Sequence, residues 1–276
     1  MTDSVRESLV DGKSGDLDVH KGGGFVDIHC HCLPGLDDGP RTMAESLELC
    51  RMLVCEGVTT AVATPHQLGR FDVGSEAGHV RQAVHDLTAS LKRNRIPLEI
   101  VPGAEVRVDE RIDRLLEADK ILTLADGGKC LLLELPHEVF IDVGPLLVEL
   151  SSMGIESIIA HAERIIAMNA WPPALLQWLN HSTHLQINAS SLLGDFGPQL
   201  QRAAWELLAS GWATLVATDA HDVNLRRPRI KAAFESIIAK LGEDLAHLVC
   251  VENPSRVITG ENILPVSIGD RQEAAR

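Results

Sequence analysis

Phe25-Val26-Asp27-Ile28-His29-Cys30-His31 is a short apolar run that ends in two imidazoles, and its reading decides the fold. Residues two apart share one face of a strand, so His29 and His31 point one way and Cys30 and Cys32 the other. The same device returns along the chain. Val58 to Ala63 leads into Thr64-Pro65-His66, Ser157 to Ala160 into His161, and Thr214 to Ala217 into Thr218-Asp219-Ala220-His221. Glu105 and Glu134 close two further apolar segments, Val101 to Ala104 and Leu131 to Leu133. Every donor falls where a strand-like run stops.

Helical stretches separate these runs. Thr42-Met43-Ala44-Glu45 fits a capping box that opens a helix to about Glu56. Further helices are expected near Ser75 to Arg95, Asp109 to Ala118, Val143 to Met153, after Pro173, Gln199 to Ser210 and Arg229 to Leu241, with a last apolar run at Leu248 to Val251. The alternation, with short β-branched strands, fits a buried parallel sheet that is either open and doubly wound or closed into a (β/α) barrel. Donor position decides between them. A barrel gathers the C-terminal ends of its strands around one axis, whereas an open sheet spreads them along an edge. Six strands feeding one site require the barrel.

The chain has 276 residues, 45% of them hydrophobic but only 3% aromatic, with no tyrosine, so the core must be aliphatic. Twenty-five basic against thirty-nine acidic residues give a formal charge of −14, which disfavours nucleic acid as a partner. No stretch approaches a membrane span, so direct membrane insertion is not expected. The six cysteines form no C-x-x-C pair and are expected to be small core residues of a reducing, cytoplasmic protein. Residues 1–24 and 263–276 are polar and are expected to be a disordered extension and a flexible tail around one folded unit, 25–262.

Nine residues emerge as candidate metal ligands: His29, His31, Asp38, His66, Glu105, Glu134, His161, Asp219 and His221. All are nitrogen or oxygen donors, which suits a borderline-to-hard divalent ion without thiolate. Glu134, behind three leucines, needs a metal, an arginine or a proton. Asp37 is taken as a turn residue of Pro34 to Pro40, and His20, His79, His85, His137, His181, His184 and His247 lie outside the pattern. Four carboxylates carry −4 and three divalent ions +6, leaving about +2 in a water-poor pocket. Such a site attracts a dianionic phosphate monoester and offers metal-activated water. Arg164 and Arg227 are candidate phosphate clamps and catalytic residues, since guanidinium matches phosphate in a bidentate way.

Asp27-Ile28-His29-Cys30-His31, Leu36-Asp37-Asp38-Gly39-Pro40-Arg41-Thr42, Ala63-Thr64-Pro65-His66, Gly103-Ala104-Glu105, Ala160-His161-Ala162-Glu163-Arg164, Gln186-Ile187-Asn188-Ala189-Ser190-Ser191, Thr218-Asp219-Ala220-His221 and Glu252-Asn253-Pro254 form an ordered series over about Phe25 to Gly260. It resembles the polymerase and histidinol phosphatase (PHP) superfamily, and within it the bacterial tyrosine-protein phosphatases of capsule or exopolysaccharide operons (CpsB/CapC type). The resemblance implies a distorted (β/α)7 TIM-like barrel with three divalent metal ions, manganese first and magnesium, iron or zinc as alternatives. It further implies one ion on His29, His31, Glu105 and Asp219, a second on Glu105, Glu134 and His161, and a third on Asp38, His66 and His221. Asn188 enters as a substrate-binding candidate. The arginine loop Asn224-Leu225-Arg226-Arg227-Pro228 leaves Arg226 and Arg227 as alternatives.

The expected function is hydrolysis of phosphotyrosine on a protein, with a cognate bacterial tyrosine autokinase as partner. A histidinol-phosphate type phosphatase, a PHP nuclease and a non-catalytic metal-binding assembly protein are the alternatives. An amidohydrolase would call for a carboxylated lysine at a mid-barrel strand end, where this chain has Glu134. The oligomeric state stays open, a homo-oligomer included.

Overall fold

Nine short strands, all paired in parallel, form two sheets in the computed structural model, which describes residues 24–72, 74–136, 139, 141–169, 177–179 and 182–267. The first sheet has the order β1 (Phe25–Cys30), β2 (Val58–Ala63), β4 (Glu99–Pro102). The second runs β3 (His66–Gln67), β5 (Glu105–Arg107), β6 (Cys130–Glu134), β7 (Glu156–Ile159), β8 (Thr183–Asn188), β9 (Ala213–Ala217). The two sheets share strand paths. β2 passes into β3 across Thr64-Pro65, where Pro65 has no N–H to continue the ladder, and β4 passes into β5 across Gly103-Ala104. At Gly103 a Cβ would lie 2.6 Å from Val62 Cγ1, so only glycine lets the strand bend this close to β2.

Counting each broken path once leaves seven strands, and the last returns to the first. Cys30 bridges Ala220, His31 N–H donates to Ala220 O at 2.9 Å, and Asp219 N–H donates to His29 O at 2.8 Å. This is the expected distorted (β/α)7 barrel, its distortion located at the two breaks.

Helices cover the outside. They are α1 (Met43–Cys55), α2 (Ala77–Asn94), α3 (Ile112–Glu117), α4 (Gly144–Ser152), α5 (Ala162–Asn169), α6 (Ala189–Leu193), α7 (Pro198–Ala209) and α8 (Ile230–Leu241). α1 starts at the expected cap, with Glu45 N–H donating to Thr42 Oγ1 at 3.3 Å; the reciprocal Glu45 carboxylate accepts from Arg41 N–H. After α9 (Glu243–His247), the run Leu248 to Val251 is a π-helical turn and not a strand, and it leads into α10 (Asn253–Thr259). The helix expected after Pro173, His20, His137, His181 and most of both termini lie outside the described residues.

Two apolar clusters divide along the strands. Val26, Ile28, Val62, Cys130, Leu132, Ile158, Leu215 and Ala217 fill the barrel with Val257 and Ile263, whereas Leu131, Leu133, Cys30 and Cys32 belong to the larger cluster that includes the helices. On β6 the inner set is Cys130, Leu132 and then Glu134; on β9 it is Leu215, Ala217 and then Asp219. Period-two alternation therefore delivers carboxylates to the rim of the interior. β1 does this differently. Three residue steps from Asp27 to Cys30 face two on β2, a bulge that places His29 at the site directly after Ile28 in the interior.

Candidate metal centre

All nine candidate ligands converge at the C-terminal ends of the strands, where a barrel assembles its chemistry. Eight are buried and Asp38 is exposed at the mouth. His29 Nε2 lies 3.2 Å from His31 Nε2, 3.5 Å from Glu105 Oε2 and 3.4 Å from Asp219 Oδ1. His66 Nδ1 is 3.1 Å from Glu105 Oε2 and 3.8 Å from Glu134 Oε2, while its Nε2 is 3.4 Å from Asp38. His161 Nε2 reaches Glu105 Oε1 at 2.8 Å, and His221 Nε2 lies 3.2 Å from Asp38.

Three overlapping donor groups result: His29, His31 and Asp219; His66, Glu105 and Glu134; and His31, Asp38, His66 and His221, each within 4.8 Å. This partition differs from the one implied by resemblance. His66 and His31 stand between groups, and His161, in contact with Glu105, joins none of the three.

The donors fit cations. Asp219 Oδ1 is buried and accepts no hydrogen bond among the described residues, although three imidazoles surround it at 3.4 to 3.6 Å. Burial alone would make Glu105 and Asp219 neutral, but His29 beside Glu105 and Arg226 beside Asp219 hold both well below the usual carboxylate range. Burial opposes charge on His31 and His66 too, yet Asp37 lifts His31 to about 9, and Asp38 with Glu105 lifts His66 to about 11. Protons are drawn in where positive charge is lacking, and divalent ions would displace them. His161 and His221, pushed down to about 4 by burial and by Arg164 and His31 respectively, keep their lone pairs. Burial and Glu105 instead raise Glu134, with Arg107 Nη1 3.1 Å from its Oε1.

Supporting residues hold the donors. Asp37 accepts from His31 Nδ1 at 2.6 Å and from His66 N–H at 3.2 Å, so the assumed turn residue orients two candidate ligands. Gly39 packs against the His31 carbonyl, where a Cβ would come within 2.6 Å, and this folds the Asp37-Asp38 loop onto the centre. Gln186 Oε1 lies 3.1 Å from His29 Nδ1 and accepts from His161 N–H. Buried Asp27 accepts from Thr218 N–H and hydroxyl and from His29 N–H, locking β1 to β9. His161 and Asp219 hold φ of +34° and +52°, left-handed conformations that cost of order 1–3 kcal/mol each outside glycine.

The geometry separates the remaining candidates. Arg226, not Arg227, enters the site: its Nη2 is 2.7 Å from Asp219 Oδ2 and its Nη1 3.6 Å from Asp38. Arg227 is exposed, and its charge acts on Glu56. Asn188 is buried, donating to Asp219 Oδ2 and accepting from Gln186, so it supports Asp219. Arg164 lies beside the centre, its Nη2 2.9 Å from Asp219 Oδ2. Sequence reasoning missed Asp37, Gln186 and Arg107. Gln186 and Asn188, polar residues two apart at the end of a buried strand, repeat the spacing of His29 and His31 and were a usable signal.

The family model for capsular polysaccharide synthesis, CpsB/CapC, matches residues 25–259. Tyrosine-protein phosphatase YwqE of Bacillus subtilis (strain 168) is 32% identical over 240 residues, covering 87% of this chain and 93% of the relative. A solved structure from work on YwqE of B. subtilis and CpsB of Streptococcus pneumoniae, metal-dependent tyrosine phosphatases, superposes with a TM-score of 0.82 at 31% identity over 87% of this chain and 97% of its own. Dihydropyrimidinase from Brevibacillus agri, with a TM-score of 0.52 at 11% identity over 89% and 73%, shares the fold alone.

Proposed function

The chain belongs to the CpsB/CapC family of capsular polysaccharide synthesis proteins, and from that premise we propose that it is a metal-dependent phosphatase that removes phosphate from tyrosine in proteins. The observation that carries this reading is the convergence of nine nitrogen and oxygen donors beside Arg164 and Arg226 at the strand ends.

His29, His31, Asp38, His66, Glu105, Glu134, His161, Asp219 and His221 would hold three divalent ions, manganese being the native metal we infer. Bound there, the ions supply Lewis acidity and acidify a water to serve as nucleophile. The protein's own groups bind and orient. A guanidinium has five N–H donors, and Arg164 and Arg226 each engage Asp219 through one nitrogen. The Arg226 Nε–H is buried without a partner among the described residues, so it is available to a phosphate oxygen. Both arginines then stabilise charge that develops on the phosphoryl group. A tyrosine leaving group, with a pKa of about 10, departs without a strong general acid. The protein substrate we infer is a bacterial tyrosine autokinase of polysaccharide export, which the capsule assignment of the family supports.

Turnover of a phosphotyrosine peptide, histidinol phosphate and single-stranded DNA by the metal-loaded protein tests the reading. The peptide should be preferred; a clear preference for either of the others would overturn it.

A further inference from the structure

Among the described residues, two clefts at the centre differ in character. One cleft, of about 340 Å3, is lined by Asp38, Glu45, Glu48 and Asp222, with Arg41 as its cation. A phosphate ester dianion is repelled there. The other, of about 240 Å3, is lined by His66, Leu68, Arg70, Phe71, Arg107 and Glu134. Its volume lies below the roughly 300–1,000 Å3 of a pocket for a drug-sized ligand and suits a single ring.

The second cleft is built around an aromatic side chain. The Phe71 ring stacks on the His66 imidazole, with centroids 5.1 Å apart and planes 25° apart. Arg70 places its guanidinium carbon 4.5 Å from the Phe71 centroid, and it has no carboxylate partner among the described residues. Arg107, held by Glu134, packs its stem against Gly69, where the backbone has a φ of +81°. In a chain with five phenylalanines and no tyrosine, one phenylalanine thus bridges a candidate ligand and an arginine.

We propose that this cleft is the subsite for the aryl group of the substrate: the ring of an aryl phosphate monoester lies against the edge of Phe71 and beside Arg70, with its phosphate at the centre beside His66 and Glu134. The inference rests on the phosphatase reading and specifies how that site selects aryl over alkyl esters. An aromatic pair adds about 0.5–1.5 kcal/mol beyond burial, and a guanidinium over a ring adds a comparable amount. Phe71 and Arg70 are thus specificity residues. Neither holds a metal in the arrangement above.

The test compares phenylphosphonate with methylphosphonate as inhibitors of phosphotyrosine-peptide turnover by the metal-loaded protein. The two share the phosphonate and differ in the ring. Wild type should bind the phenyl compound more tightly, and Phe71→Ala should shrink the ratio of inhibition constants roughly threefold to tenfold. Phe71→Trp should restore it, and Arg70→Ala should shrink it by a smaller factor. Elemental analysis of each variant reports whether the His66 contact has disturbed metal binding, and Phe71→Leu, which preserves apolar bulk, serves if Phe71→Ala loses metal. An unchanged ratio in metal-replete Phe71→Ala or Phe71→Leu would overturn the subsite. Absence of phosphotyrosine turnover in wild type would instead defeat the phosphatase reading itself.

Discussion

The barrel holds two histidine–glutamate pairs of similar geometry at opposite ends. At the C-terminal rim His161 Nε2 meets Glu105 Oε1 at 2.8 Å; at the N-terminal end His184 Nε2 meets Glu156 Oε2 at 3.1 Å. Their surroundings differ. Glu105 also faces His29, His31 and His66 through its second oxygen, in a ring of buried donors. Glu156 completes its shell with Lys129 at 3.8 Å and the Ile263 N–H, which ties the segment after α10 to the start of β7. A lone histidine–glutamate pair is a structural fastening. Convergence of several strand ends on one carboxylate, with atoms left unsatisfied, is what marks a centre.

Glu105→Gln is the hardest test of that contrast. It keeps the shape and one oxygen donor but removes the anion that four imidazoles share. Metal content should fall, and turnover should drop at least about a hundredfold. The fold should persist in chelator, since the apolar clusters are untouched. Full metal content with near-normal phosphatase activity would show that Glu105 is no more central than Glu156.

The rim contrast sharpens further at two adjacent arginines. Arg226→Ala removes a guanidinium from Asp219 and from the phosphate position, and turnover should fall roughly a hundredfold. Arg227→Ala changes an exposed side chain and should stay within about twofold of wild type. Parallel metal analysis separates loss of substrate contact from loss of Asp219 orientation. Equal losses in both variants would mean that the loop, rather than one guanidinium, serves the site.

Much of this rim was legible in the chain because it depends on periodicity. Glu134 and Asp219 lie two residues beyond interior apolar positions, and Thr64-Pro65-His66 and Ala160-His161 follow apolar runs that could be counted. What escaped depends on departures from periodicity or on distances between loops. The β1 bulge turns consecutive residues Ile28 and His29 to the interior, which no two-residue repeat contains. Asp37 and Asp38 are adjacent in one turn, and only the fold-back over Gly39 assigns one to orient His31 and His66 and the other to the metal cluster. Arg226 and Arg227 are likewise separated only by the path of the loop from His221 to Ile230. The Leu248 to Val251 run shows the converse, since apolar content without length or alternation left strand and helix open.

Glu156→Gln is the smallest expected effect and closes the comparison from the other end. Burial would raise the Glu156 carboxyl, but the His184 hydrogen bond and charge outweigh it and leave the group below its ordinary value of 4.5. A group depressed on folding stabilises the protein above its unfolded value and loses that contribution as the pH falls through the folded one. Urea unfolding at pH 7 should therefore show Glu156→Gln destabilised by about 1 kcal/mol or less, the range for partly solvated pairs. The difference should fade below about pH 4.5 as wild-type Glu156 takes up its proton. Metal content and turnover should match wild type, because among the described residues no candidate ligand touches this pair. If Glu156→Gln emptied the centre as Glu105→Gln does, the two ends of the barrel would be coupled through β7 and β8, and position in the barrel would not distinguish fastening from site.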